Sequence, residues 1–399
     1  MPFDPCLWRR PIPFLLASAL LWACGGGADA PAAPQGPQAL PTTADRVAIG
    51  DRLFDETALS ASGRLACATC HDASRGHADA VGVFLPLGGL DGDHEGLRST
   101  PSLRYLSENR AFRFNPNGDP AGGFTWDGRA DHRAAQARLP LLAAHEMANG
   151  DEASVARRLR TLPYLWQLRF AYSLPANASD AQLVDAAAQA LADYQAGDAK
   201  FQPYTSKFDA SLDGLATLTA PEARGLALFN DPRRGNCAVC HTSTPPPGAA
   251  KPLFTNFTYH ALGVPRNASR ATRDAGFFDL GLCGPRRSDL GDLGALCGMF
   301  RVPTLRNVAL TAPYFHNAAI ATLEDAVAFY ATRDSDPARW YPVVNGQVQR
   351  FNDLPPQYRV NVSFEAPFNL QAGAAPTLSA LDVQDIVAFL HTLSDGYRP

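Results

Sequence analysis

Two pentapeptides in this chain carry the residue types for covalent metal-cofactor chemistry: Cys67-Ala68-Thr69-Cys70-His71 and Cys237-Ala238-Val239-Cys240-His241. C-x-x-C-H is the attachment signature of c-type haem. Two thiols add across the haem vinyl groups, and the adjacent histidine supplies an imidazole as proximal iron ligand. A zinc site or a thioredoxin-like redox pair also uses paired cysteines. Either would have to explain a histidine directly after both pairs and the long separation between them. The expectation is therefore two covalently bound haem c groups, attached at Cys67, Cys70, Cys237 and Cys240, with His71 and His241 as iron ligands.

The elements that hold these motifs recur. Gly50-Asp51-Arg52-Leu53-Phe54 precedes the first and Gly225-Leu226-Ala227-Leu228-Phe229 precedes the second, each reading as a short helix that enters an attachment loop. The chain thus reads as mainly α, with two cytochrome-c-like domains in tandem, each carrying one covalent haem and long loops. The boundary is placed at 212/213, giving an N-terminal haem domain over 44–212 and a C-terminal one over 213–399. Ala181 to Tyr194 is alanine-rich and free of glycine and proline, a helix that should end before Gly197. Thr322 with Asp325, and Ser379 with Asp382, are capping boxes that open two further helices. The first of these carries Leu323, Ala326, Val327 and Tyr330 on one face. The segments between are rich in Gly, Pro, Asn and Asp, as loops wrapping a large cofactor would be.

Hydrophobic residues make up 46% of the 399 residues, enough for real cores, and the net charge of −4 leaves no basic field for nucleic acid. The N-terminus has an export pattern: Arg9 and Arg10, then an apolar run from Ile12 to Trp22. Leu21-Trp22-Ala23-Cys24 is similar to a bacterial lipobox, which makes 1–24 a signal peptide, Cys24 a lipidated residue and 25–43 a flexible tether. Cleavage after Ala28-Asp29-Ala30 is the alternative. Either route implies a periplasmic protein, with membrane contact only through the lipid anchor. In that oxidising compartment Cys283 and Cys297 would form a disulfide; two free buried thiols is the alternative.

Beyond the motifs, the chain resembles the bacterial di-haem cytochrome c peroxidases and the MauG proteins from Asp45 to Tyr397. The resemblance rests on ordered blocks: LFDETALSASGRLACATCH, FTWDGRADHRAAQARLPLLAAHEM, LFNDPRRGNCAVCH, FRVPTLRNVALTAPYFHNAAIATLEDAVAFY and DIVAFLHTLSDGY. It implies that the His71 haem binds hydrogen peroxide, that Gln136, Pro140 and Glu146 form its distal pocket, and that Trp126 lies between the haems. A carboxylate near the iron suits Glu146 to move a proton between the peroxide oxygens. The resemblance further implies calcium bound by two backbone carbonyls, at Thr311 and Pro313, and an Asn. Ser99 stands at that Asn position, and a hydroxyl is a weaker calcium ligand. His316 matches a histidine near the haems, with a structural role equally open. His94 lies where some members carry a displaceable second ligand for the first haem.

The same resemblance separates two branches. Peroxidase members place a methionine at the position held here by Tyr330, as MauG does not. Tyr330 is therefore expected to ligate the His241 haem, with Met299 the alternative ligand. A phenolate donates charge and lowers the iron potential, whereas a thioether raises it. This implies an enzyme that reacts with hydrogen peroxide and oxidises a protein partner's side chain. The alternatives are a peroxidase drawing electrons from a small cytochrome or cupredoxin, and a non-catalytic di-haem electron carrier.

Overall fold

The computed structural model describes residues 40–79, 85–269, 274 and 276–398. The expected signal peptide, the expected lipidation site at Cys24 and all but the end of the expected tether lie outside the described residues. In chain order the helices are α1 (Thr43–Phe54), α2 (Cys67–Cys70), α3 (Arg133–Leu142), α4 (Glu152–Thr161) and α5 (Leu165–Ala171). They continue with α6 (Asp180–Gly197), α7 (Lys207–Leu212), α8 (Ala220–Asn230), α9 (Leu323–Thr332) and α10 (Ala380–His391). The β-structure described consists of two-residue antiparallel strand pairs, among them His71–Asp72 with Ala78–Asp79 and Leu87–Gly88 with His94–Glu95, and a few isolated bridges. Among the described residues no helix is long and apolar enough to cross a membrane.

The two glycine-led repeats become α1 and α8, and each glycine sits where its helix crosses a later one. A Cβ on Gly50 would collide with the carbonyl of Ala190 in α6, and one on Gly225 with the carbonyl of Asp385 in α10. Only hydrogen lets the two backbones approach that closely. The aromatic residue ending each repeat is then buried in the same way. Phe54 packs against Tyr194 and Phe201, and Phe229 against Phe254 and Phe389. Edge contacts of this kind add about 0.5–1.5 kcal/mol each beyond the area they bury.

Two large apolar clusters result. One runs over residues from Ile49 to Phe201 and holds α1, α4 and α6; the other runs from Phe208 to Leu393 and holds α8, α9 and α10. Helix α6 is three residues longer at its C-terminal end than the alanine-rich pattern suggests. Ser179 and Gln182 close a capping box at its start, and it runs through Gly197 to a cap at Asp198. The Ser379–Asp382 box of α10 is complete. At α9 only half of the expected box forms: Thr322 accepts from the Asp325 N–H, while the Asp325 carboxylate takes the Thr322 hydroxyl. Cys283 and Cys297 are joined in a disulfide, as expected.

Candidate active site

Helix α2 is a single turn, so Cys67 and Cys70 face one side and His71 follows at once. The His71 Nδ1 lies 2.9 Å from the carbonyl oxygen of His77. A carbonyl can only accept, so Nδ1 carries the proton and Nε2 presents a lone pair. Burial lowers the His71 pKa to about 4, which keeps the ring a neutral ligand. The second motif repeats this arrangement on a 3-10 turn over Cys237–Val239. His241 Nδ1 is 3.0 Å from the Phe254 carbonyl, and burial lowers its pKa to about 4 as well. None of the four motif cysteines is in a disulfide. Among the described residues no cluster of three or more His, Cys, Asp or Glu is arranged to hold a metal ion.

Each motif opens on its own cavity, and the opposite walls differ. The first cavity brings together Cys67, Cys70 and His71 with Trp126, Gln136, Pro140 and Glu146. Gln136 and Pro140 come from one face of α3, four residues apart. Glu146 lies in the turn after α3. The Glu146 N–H donates to Ala143, its carbonyl accepts from Gly89, and Asn149 donates to the Leu59 and Leu141 carbonyls at 2.8 Å. The Glu146 side chain is partly buried, with 41% of its surface open. Burial raises its pKa above the usual carboxylate range, and the Arg129 and Arg286 guanidiniums oppose that rise. His94 is exposed and lines neither cavity, its Nδ1 being 3.3 Å from the Ala144 carbonyl.

The second cavity brings Cys237, Cys240 and His241 together with Leu323, Ala326, Val327 and Tyr330, the single apolar face of α9. Tyr330 stacks on Phe368 at 5.3 Å, and burial raises its phenol pKa. Met299 lines neither cavity and packs beside Tyr259 and Leu282. Ser99, Thr311 and Pro313 line this cavity too. The Ser99 carbonyl accepts the Trp126 indole N–H at 2.8 Å. His316 is buried, stacked on Phe300 at 3.5 Å, with Nε2 3.7 Å from Asp353. Trp126 and Arg301 line both cavities.

With this geometry in view, comparison with known proteins is decisive. The chain is 35% identical to the methylamine utilization protein MauG of Paracoccus denitrificans, over 92% of this chain and 94% of that one. The chain belongs to the di-haem cytochrome c peroxidase and MauG family. The family model for di-haem cytochrome c peroxidase matches residues 44–217. A cytochrome c551 peroxidase of Nitrosomonas europaea is 30% identical over 72% of this chain and 73% of its own. The diheme peroxidase BthA of Burkholderia thailandensis superposes with a TM-score of 0.79 at 37% identity, covering 89% of this chain and 87% of that one.

The protein is thus a mainly α, di-haem, peroxidase-type oxidoreductase. Its residues fit two haem c groups on their own chemistry. Each cavity offers two thiols and a neutral imidazole. The buried Arg301, on the wall shared by both cavities, has a guanidinium nitrogen Nη1 without a hydrogen-bond partner. The carboxylates of a haem would satisfy it. Sequence reading missed Arg301, Arg129, Arg286 and His145 as parts of the site. Arg301 had a signal, since a charged residue stands in the FRVP block of an otherwise apolar stretch. Arg286 had none, because a disulfide-closed loop brings it to the cavity.

Proposed function

We propose that hydrogen peroxide is reduced in the cavity of His71 and that electrons enter through the cavity of His241. The observation that carries this reading is the contrast between Glu146 and Gln136, which line the first cavity, and the aliphatic face of α9 with Tyr330, which lines the second beside Tyr314 and Glu365. When bound, the haems supply iron that binds peroxide and stores or passes electrons. Glu146 takes a proton from the peroxide oxygen nearer the iron and returns it to the outer one, which leaves as water. Gln136 offers an amide donor and acceptor that hold peroxide by hydrogen bonds, and Pro140, without an N–H, shapes the wall beside it. Trp126, on the wall shared by both cavities, is the relay between them.

Tyr330, on the wall of the same cavity as His241, would hold the iron of that haem through its phenolate oxygen. A phenolate lowers the potential there, which favours oxidation of a protein partner's side chain over a small cytochrome or cupredoxin donor. A calcium ion held by the Thr311 and Pro313 carbonyls with Ser99 would stiffen the wall near Trp126. The tandem division at 212/213, export to the periplasm and a lipid anchor at Cys24 complete the reading. Stable anchoring needs more than one acyl chain, which a lipidated N-terminal cysteine supplies. Mass spectrometry of the mature N-terminus tests the anchor: a Cys24 carrying a thioether-linked diacylglycerol plus one amide-linked chain is expected, and an unmodified chain beginning at Pro31 would rule it out. The catalytic assignment is tested by rapid mixing of the holoprotein with peroxide, comparing wild type with Glu146→Gln.

A further inference from the structure

The first cavity carries positive charge that the peroxide reading does not use. Arg98, Arg129, Arg286 and Arg301 all line it. Arg98 is neutralised twice, by Asp127 at 2.7 Å and by a bidentate pair with Asp279 at 2.7 and 2.8 Å. Arg129 pairs with Asp127 at 2.8 Å, and Arg301 sits on the wall shared with the second cavity. Among the described residues no carboxylate lies within ion-pair distance of Arg286. Its Nη2 instead reaches the imidazole of His145, 2.6 Å from Nε2 and 2.9 Å from Nδ1. His145 in turn lies 3.8 Å from Glu146.

Arg286 comes from the glycine-rich insertion closed by the Cys283–Cys297 disulfide, which is fastened to the cavity wall at two further points. Asp279, just before the insertion, holds Arg98. Arg287, the next residue, donates to the Asp127 carbonyl at 3.0 Å, packs its guanidinium 3.8 Å over the Phe112 ring and pairs with Asp289. With its neighbour pinned and the loop closed covalently, Arg286 has little freedom to leave. A guanidinium stays charged at any physiological pH, and a half-buried one with no carboxylate within ion-pair distance attracts an anion, even with Glu146 elsewhere on the same wall.

We propose that the disulfide-closed insertion makes the His71 cavity an anion-accepting site, in which Arg286, with Arg129, binds small monoanions next to Glu146. The ligand class includes azide-like pseudohalides, small oxyanions and anionic peroxides. This rests on the assignment of the His71 cavity as the peroxide pocket, but it fails separately. Azide affinity at equilibrium reads the charge of the pocket, whereas Glu146→Gln reads proton transfer.

The test is an optical titration of the ferric holoprotein with azide, alongside carbon monoxide binding to the ferrous protein as a neutral probe. Arg286→Gln is expected to weaken azide roughly tenfold, the scale of one charge-assisted hydrogen bond, with carbon monoxide unchanged. Arg286→Lys should keep most of the azide affinity. The double change Cys283→Ser, Cys297→Ser should weaken azide in the same direction, because the loop would no longer hold the guanidinium in place. Unchanged azide affinity in Arg286→Gln would overturn the proposal. So would an equal loss for azide and carbon monoxide, which would mark a collapsed pocket. A shifted haem potential with unchanged azide affinity would overturn it too, making Arg286 a haem-carboxylate partner.

Discussion

The two halves of this molecule build the same proximal side and opposite distal sides. In both, a glycine lets two helices touch, a buried phenylalanine follows, and a backbone carbonyl at 2.9 or 3.0 Å sets the tautomer of the motif histidine. Across the cavity the likeness ends. The first cavity is lined by Glu146, Gln136 and the guanidiniums of Arg98, Arg129, Arg286 and Arg301, whereas the second is lined by the apolar face of α9 with Tyr330, beside Tyr314 and Glu365. The attachment unit is therefore a reusable frame, and what each haem can do is decided by the wall opposite. Peroxide cleavage needs a proton carrier and an open iron position; electron storage needs neither.

The sharpest way to break this contrast is to remove the proton carrier. Glu146→Gln should slow the reaction with peroxide by roughly 10²- to 10⁴-fold while both haems stay attached. Stopped-flow absorbance would show it, and an unchanged rate would remove Glu146 from the chemistry. The likeness between the halves can be broken at the helix crossings. Gly50→Ala and Gly225→Ala each drive a methyl into a backbone carbonyl and should each destabilise the fold by about 1–3 kcal/mol. Denaturant unfolding of the two variants checks it. A neutral result at one crossing would show that only the other half depends on close approach.

A finer test uses pH. Burial places the Glu146 pKa above its ordinary value of 4.5, and only the carboxylate can take a proton. The peroxide rate should thus fall about tenfold per unit as pH drops below that raised pKa, and Glu146→Gln should abolish this limb. Smallest is the cap of the helix that carries Tyr330. Thr322→Ala removes a side chain that accepts from the Asp325 N–H and should cost about 1 kcal/mol. Thermal unfolding reads the loss, and the ligation spectrum of the second haem should not move.

Much of this contrast was legible before any coordinates. The two C-x-x-C-H motifs, the glycine-led repeats and the Thr322 and Ser379 regions are local signals, and local hydrogen bonding realises most of them; the Ser179 box at the start of α6 is just as local but was not read. Periodicity put Tyr330 on the apolar face of its helix but could not say what that face meets, because a core and a cofactor cavity both demand apolar residues. The structure places the whole face along the cavity of His241. Long-range placements were not legible. Arg286 reaches His145 across 141 positions of sequence, through a loop whose course depends on a disulfide and on Arg287 pinning it to Asp127. The half-formed box at Thr322 was also hidden, since the residues are right and only the direction of the Asp325 side chain differs.

The central claim is that one haem is open to external ligands and the other is closed by Tyr330. Electron paramagnetic resonance of the ferric holoprotein, with and without cyanide, tests it most directly. The account predicts one high-spin and one low-spin signal, with cyanide converting only the high-spin one and Tyr330→Phe altering only the low-spin one. Two low-spin signals at rest, or cyanide binding at the haem that Tyr330→Phe perturbs, would contradict it.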